Sequence, residues 1–96
     1  MKESAIQTKI MSWLKAKGAI CNKTIGMSKA GWPDLICCFK GRFVGLEVKK
    51  PGQKATKLQE FKLAELKTAG AYVGAATSVD EARALLDSLD KALAFS

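Results

Sequence analysis

Two short apolar runs separated by three residues constrain this chain more than any other feature. Asp34–Phe39 and Phe43–Lys49 flank Lys40-Gly41-Arg42. Runs of this length and composition read as strands, and so short a break joins them as an antiparallel hairpin. With Gly41 and Arg42 as the central turn residues, Lys40 pairs with Phe43, Cys38 with Gly45, Ile36 with Glu47 and Asp34 with Lys49. Directly opposed residues share a face, as do residues two apart along a strand. Asp34, Glu47 and Lys49 then project from one face at one end of the hairpin. Leu35, Cys37, Phe39, Val44, Leu46 and Val48 occupy the other face, which is wholly apolar and must be the core side. The sorting depends on register, because a slip of one residue moves every side chain to the opposite face.

The rest of the chain is punctuated clearly. Ile6, Ile10, Trp13 and Leu14 fall at helical spacing within residues 3–17, and Gly18 supplies the stop. Residues 19–23 suit a short strand. Residues 24–33 hold two glycines and a proline and read as a loop. After the hairpin, Lys50–Ala55 is a basic loop. Thr56 with Gln59 three residues later has the form of a capping box, opening a helix that runs to about Ala69 and stops at Gly70. A strand over 71–75 follows. Ser78 with Glu81 suggests a second capping box, and Ala82, Leu85, Leu86, Leu89 and Leu93 give the last helix its apolar stripe. The order α-β-β-β-α-β-α predicts an α/β fold with a mixed central sheet flanked by helices. Its 96 residues suffice for one domain and are too few for two, so residues 1–96 are read as a single domain.

The clustered face has a definite chemistry. Two carboxylates so close repel each other unless a cation sits between them. Hard oxygen donors suit Mg²⁺ or Mn²⁺. Val48, between the two charged residues of its strand, can offer a backbone carbonyl to such an ion. Lys49 can stabilise charge developing on a phosphate or hold an attacking water. A solvated Asp–Lys cross-strand pair is the plain alternative.

Charge and composition narrow the classes. The net charge is +7, and residues 1–62 carry 13 Lys/Arg against 4 Asp/Glu, whereas residues 63–96 carry 3 against 5. A basic field over the first two thirds of a chain points to nucleic acid. There is no histidine. Serine–histidine hydrolases, histidine-ligated zinc enzymes and histidine-based nucleases are therefore excluded. Any hydrolysis must rest on carboxylates, lysines and a bound metal. No apolar run approaches the ~20 residues of a membrane span, and the N-terminus lacks a signal-peptide core, so a cytoplasmic location is expected. Cys21, Cys37 and Cys38 lack metal-site spacing and are read as reduced, mostly buried thiols.

At Pro33-Asp34 and Glu47-Val48-Lys49 the chain resembles the PD-(D/E)xK nuclease superfamily. More narrowly it is similar to the stand-alone VRR-NUC domains of phages and bacteria, over residues 1 to about 80. A leading Glu, the Gly-x-Pro-Asp loop and the following Thr-x-x-Gln helix make the match more specific than the short motif alone. The resemblance implies a restriction-endonuclease-like αβββαβ core with an extra C-terminal helix. It implies that Glu3 joins Asp34 and Glu47 as a metal ligand, with Gln7 one turn further along the same face. It makes Lys49 the catalytic lysine and Gln59 the glutamine that orients water or the lysine, a role that competes with helix capping. Lys29, Lys50, Lys54 and Lys57 flank this site and can contact phosphates, which fixes position without reading sequence. Trp32, beside the site, is expected to pack rather than to stack on a base.

The function expected is a metal-dependent, structure-selective DNA endonuclease, with a Holliday-junction-resolvase-like activity among its forms. A non-catalytic nucleic-acid-binding module is the main alternative, and it leaves the acidic pair unused. A protein-interaction domain built on the leucine-rich last helix ranks third. Divalent-dependent cleavage separates the first from the others. A homodimer is also expected, as related small nucleases commonly act as symmetric pairs and the last helix carries surplus apolar surface, including Ala92, Ala94 and Phe95.

Overall fold

The computed structural model describes residues 2–24 and 31–94. The elements are α1 (Glu3–Ala16), β1 (Ile20–Lys23), β2 (Leu35–Phe39), β3 (Arg42–Val48), α2 (Lys57–Thr68), β4 (Tyr72–Ala76) and α3 (Val79–Ala94). This is the order the sequence predicts, with boundaries moved by one or two residues. The four strands form one mixed sheet in the order β1-β2-β3-β4. β1 with β2 and β2 with β3 pair antiparallel, and β4 lies parallel to β3 after the α2 crossover.

The hairpin corrects one expectation. Phe39 pairs with Arg42, so Lys40-Gly41 is the turn rather than Gly41-Arg42. Both turn residues have positive φ, 51° at Lys40 and 75° at Gly41. That is the pattern of a type I′ turn, which favours glycine at its second position. A glycine in first place would have suited a type II′ turn equally well, and the two turns differ by two residues of register. A shift of two preserves the faces. Leu35, Cys37, Phe39, Val44, Leu46 and Val48 are accordingly all buried.

That apolar face is covered by α1 and α3. Ile6, Ile10 and Leu14 of α1 and Ala82 and Leu86 of α3 complete the core. Each large aliphatic side chain so buried contributes roughly 1.5–3 kcal/mol. Trp13 closes the edge between the two helices, half-buried, with Lys17 and Arg83 at 5.7 and 5.5 Å from its ring. Leu85 packs on β4 at Gly74, where a Cβ would stand 3.0 Å from its Cδ1. Part of the apolar stripe of α3 is thus spent within the monomer. Leu89, Ala92, Leu93, Ala94 and Phe95 lie outside the described side chains.

The second face of the sheet holds Asp34 and Glu47, and α2 lies over it. The α2 capping box is complete, as predicted: Thr56 Oγ1 accepts from the Gln59 N–H and the Gln59 side chain accepts from the Thr56 N–H. The second box is only half formed. Ser78 Oγ accepts from the Glu81 N–H, but Glu81 reaches past Ser78 to the Thr77 N–H at 2.7 Å and to the Thr77 hydroxyl. The cysteines also divide more unevenly than expected: Cys37 is buried, Cys21 half-buried and Cys38 exposed, all three free. Cys38 shares the second face, which α2 does not cover near the hairpin turn. Among the described residues no helix is long and apolar enough to cross a membrane.

Candidate active site

Asp34 is held from three sides. The end of β1 clamps its backbone: the Thr24 N–H donates to the Asp34 carbonyl at 2.9 Å, and the Thr24 hydroxyl donates to the Pro33 carbonyl at 2.8 Å. Pro33 is fully buried and lies against Gly45, where a Cβ would come within 2.9 Å of its Cγ. Only glycine at 45 lets the Pro-Asp step approach β3 so closely. The Asp34 side chain then reaches across, and its Oδ2 accepts from the Val48 N–H at 2.8 Å. The N–H and C=O of one strand residue point to the same side. The Val48 carbonyl therefore also faces the Asp34 side of β3.

Glu47 is 1% exposed. Its Oε1 lies 3.4 Å from Gln59 Nε2 and 3.8 Å from Lys49 Nζ. Its Oε2 is buried with no hydrogen-bond partner among the described residues. Burial raises its pKa first, and the Asp34 carboxyl, close enough to share a proton, raises it further. Glu3 adds to the rise and Lys49 opposes it, leaving Glu47 pushed up to about 8. Once that proton is lost, a buried carboxylate oxygen without a donor costs on the order of 1–3 kcal/mol. Such a cost is explained where another group is meant to meet that oxygen.

The corrected register changes which groups stand level. The ladder that pairs Leu35 with Leu46 puts Asp34 opposite Glu47, not opposite Lys49. The two carboxylates are drawn together, and Lys49 lies one step beyond. It is half-buried, and its N–H donates to the Ala76 carbonyl at 3.0 Å. Lys49 and Lys54 line one open cleft of about 410 Å³ with Glu60, Ala75, Thr77 and Glu81.

The fold has counterparts among solved structures. One described as a VRR_NUC domain superposes with a TM-score of 0.77 at 23% identity, over 88% of this chain and 94% of the other. Another, described as a VRR_NUC domain protein, gives 0.73 at 23% identity, over 91% and 86%. The fold is that of a VRR-NUC domain. No protein-family model matches the sequence, and no curated protein matches it.

Within this VRR-NUC fold the remaining predicted residues take up different positions. Glu3, in the first turn of α1, is half-buried and acts on Glu47 through its charge. Gln7, one turn on, is buried to 9% exposure. Lys50, Lys54 and Lys57 are exposed, and Lys54 shares the cleft beside Lys49. Lys50 begins a turn over Pro51-Gly52 that the Gln53 N–H closes on its carbonyl at 3.0 Å. Lys29 lies outside the described residues. Gln59 makes the capping contact and also reaches the carboxylates: Oε1 accepts from the Thr56 N–H at 2.8 Å while Nε2 lies 3.4 Å from Glu47 Oε1. Trp32 packs with its ring 5.4 Å from Lys62 Nζ, its indole N–H buried and unpartnered among the described residues. Thr24 was not singled out from the sequence. A threonine ending a strand carries no signal that its partner is a backbone ten residues away.

Proposed function

We propose that this chain is a divalent-metal-dependent DNA endonuclease of the PD-(D/E)xK type. The observation that carries the reading is the buried Glu47 Oε2, which no donor group meets among the described residues, beside Asp34 and Lys49. The donor set fits Mg²⁺ or Mn²⁺: two carboxylates and the Val48 carbonyl, all hard oxygens, with Glu3 near enough to add charge. Among the described residues no three His, Cys, Asp or Glu converge as a ready-made cage. Mg²⁺ commonly takes one or two carboxylates and keeps several waters, so two suffice. A bound divalent ion supplies an acidified water and polarises the phosphoryl oxygen.

The chain's own residues do the rest. Asp34 and Glu47 hold the ion's place, and the Val48 N–H keeps the Asp34 carboxylate turned towards Glu47. Lys49 offsets negative charge gathering on the attacked phosphate, and Gln59 offers an N–H beside Glu47. Lys50, Lys54 and Lys57, with Lys29, draw the phosphate backbone to the site. The basic field and the VRR-NUC fold support DNA as the substrate, branched DNA such as a four-way junction among its forms, cut by a homodimer.

A cleavage panel of single-stranded, duplex, flap and four-way DNA with Mg²⁺ or Mn²⁺ tests the reading. Divalent-dependent cuts that vanish in Asp34→Asn are expected. DNA affinity without cleavage of any substrate would overturn it in favour of a binding module.

A further inference from the structure

We infer that Thr56 is a positioning residue whose backbone N–H sets the orientation of the Gln59 carboxamide in the site. The inference rests on the nuclease reading of that site. A glutamine side chain presents either a carbonyl oxygen or an NH₂ group, and the two are close to equal in shape. Against an ionised Glu47 the NH₂ end is the favourable one, because a carbonyl would face a carboxylate oxygen with no proton between them, whereas a protonated Glu47 can meet either end. Nothing on the site side alone forces that choice at 3.4 Å. The cap forces it. The Thr56 N–H is a donor only, it stands 2.8 Å from Gln59 Oε1, and it leaves Nε2 the end facing Glu47.

The same box sets where Gln59 stands. Thr56 Oγ1 accepts from the Gln59 N–H at 3.2 Å, and the Thr56 carbonyl accepts from the Glu60 N–H at 2.9 Å. The first turn of α2 and the side-chain amide are thus gripped by one residue. One N–H of Nε2 points to Glu47, and the other remains for a water or a phosphate oxygen. A capping box is ordinarily worth a contribution to helix stability. Here it also converts a rotatable amide into a donor of fixed direction, which is what a site that acts through preset hydrogen bonds requires.

Two variants tell the hydroxyl of Thr56 from its N–H. Thr56→Ala deletes the hydroxyl and keeps the N–H. Thr56→Pro deletes both, and its ring suits the local φ of −70°. Both variants lose the same hydroxyl cap, so their comparison isolates the N–H. Cleavage of the best DNA substrate should fall only part-way in Thr56→Ala, which loses the hydroxyl grip on the Gln59 N–H but keeps the bond to its carboxamide. In Thr56→Pro it should fall to the level of Gln59→Ala, by on the order of 10–100-fold, the usual effect of losing a group that orients a metal-site residue. The loss should appear in kcat rather than in DNA affinity.

A readout independent of activity is the side-chain NH₂ resonance pair of Gln59 in ¹⁵N-labelled protein. The pair should move on Glu47→Gln substitution in the wild-type and Thr56→Ala backgrounds and stay put in Thr56→Pro. Should Thr56→Pro fail to fold, Gln59→Glu decides the matter. It keeps both cap bonds, as glutamate serves in such boxes, but offers no donor to Glu47. It should still fold, and lose cleavage as Gln59→Ala does. Equal cleavage in Thr56→Pro and Thr56→Ala, an NH₂ pair indifferent to Glu47, or an active Gln59→Glu would each overturn the inference. If the wild-type protein cuts no DNA, the nuclease reading fails, and the resonance pair alone decides what Thr56 does.

Discussion

Glu47 should give the metal-free protein an unusual pH profile. In the unfolded chain its carboxyl titrates near 4.5, whereas in the fold burial and then Asp34 push it up to about 8. Between those values the native state keeps a proton that the unfolded chain has lost. The stabilisation is therefore complete below about pH 4.5 and disappears as the pH rises through 8. The slope for one proton is ~1.4 kcal/mol per pH unit, so the loss approaches ~4 kcal/mol between pH 5 and 8. That is a large share of the 5–15 kcal/mol typical of a folded domain. Glu47→Gln, which keeps the shape and cannot ionise, should remove the slope. Urea unfolding of both proteins in a chelator, across this pH range, measures it. Mn²⁺ should reverse the trend in the wild type alone, stabilising it more as the pH rises because the ion displaces the shared proton. A wild-type stability flat from pH 5 to 8, or the same slope in Glu47→Gln, would refute the reasoning.

Other outcomes follow from the same geometry. Lys49→Ala should abolish cleavage and leave the urea midpoint nearly unchanged, since Lys49 lies at a strand end outside the core; cleavage at the wild-type rate would remove its role. Gly45→Ala drives a methyl to within 2.9 Å of Pro33 Cγ, which should cost ~1–3 kcal/mol by overpacking and displace Asp34; an unchanged midpoint with full activity would show that the Pro-Asp step does not depend on this contact. DNA binding should weaken with salt by roughly −0.9 in log–log slope for each phosphate contacted on duplex DNA, and a nearly flat slope in a titration would assign the basic excess to solubility. Light scattering should give about twice the 10.3 kDa chain mass; a monomer, unchanged by adding junction DNA, would remove the homodimer and weaken the resolvase form with it.

Much of the fold is written locally. Ile6, Ile10 and Leu14 recur at helical spacing, Thr56 and Gln59 form the cap that their types and separation imply, and the apolar alternation of β2 and β3 buries the six side chains expected. Parity explains why the faces survived a wrong turn centre. Side chains alternate with period two, so the two-residue difference between Gly41-Arg42 and Lys40-Gly41 moved pairs without exchanging faces. Which side of the hairpin is core, and that Asp34, Glu47 and Lys49 share the other, follows from that alternation alone.

Level and distance were not local. Both turns satisfy the backbone preference of one glycine, and the register was decided by contacts beyond the turn. Those contacts are the Val48 N–H on Asp34 Oδ2, Pro33 on Gly45, and β4 alongside β3. The grip of Thr24 on the Pro-Asp backbone likewise joins segments that only the folded sheet brings together. The two contacts of Gln59 read as exclusive in the sequence because a cap and a site each claim one side chain. They became compatible once α2 lay over Glu47, since an amide has two ends and the packing of a helix on a sheet decides where each one points.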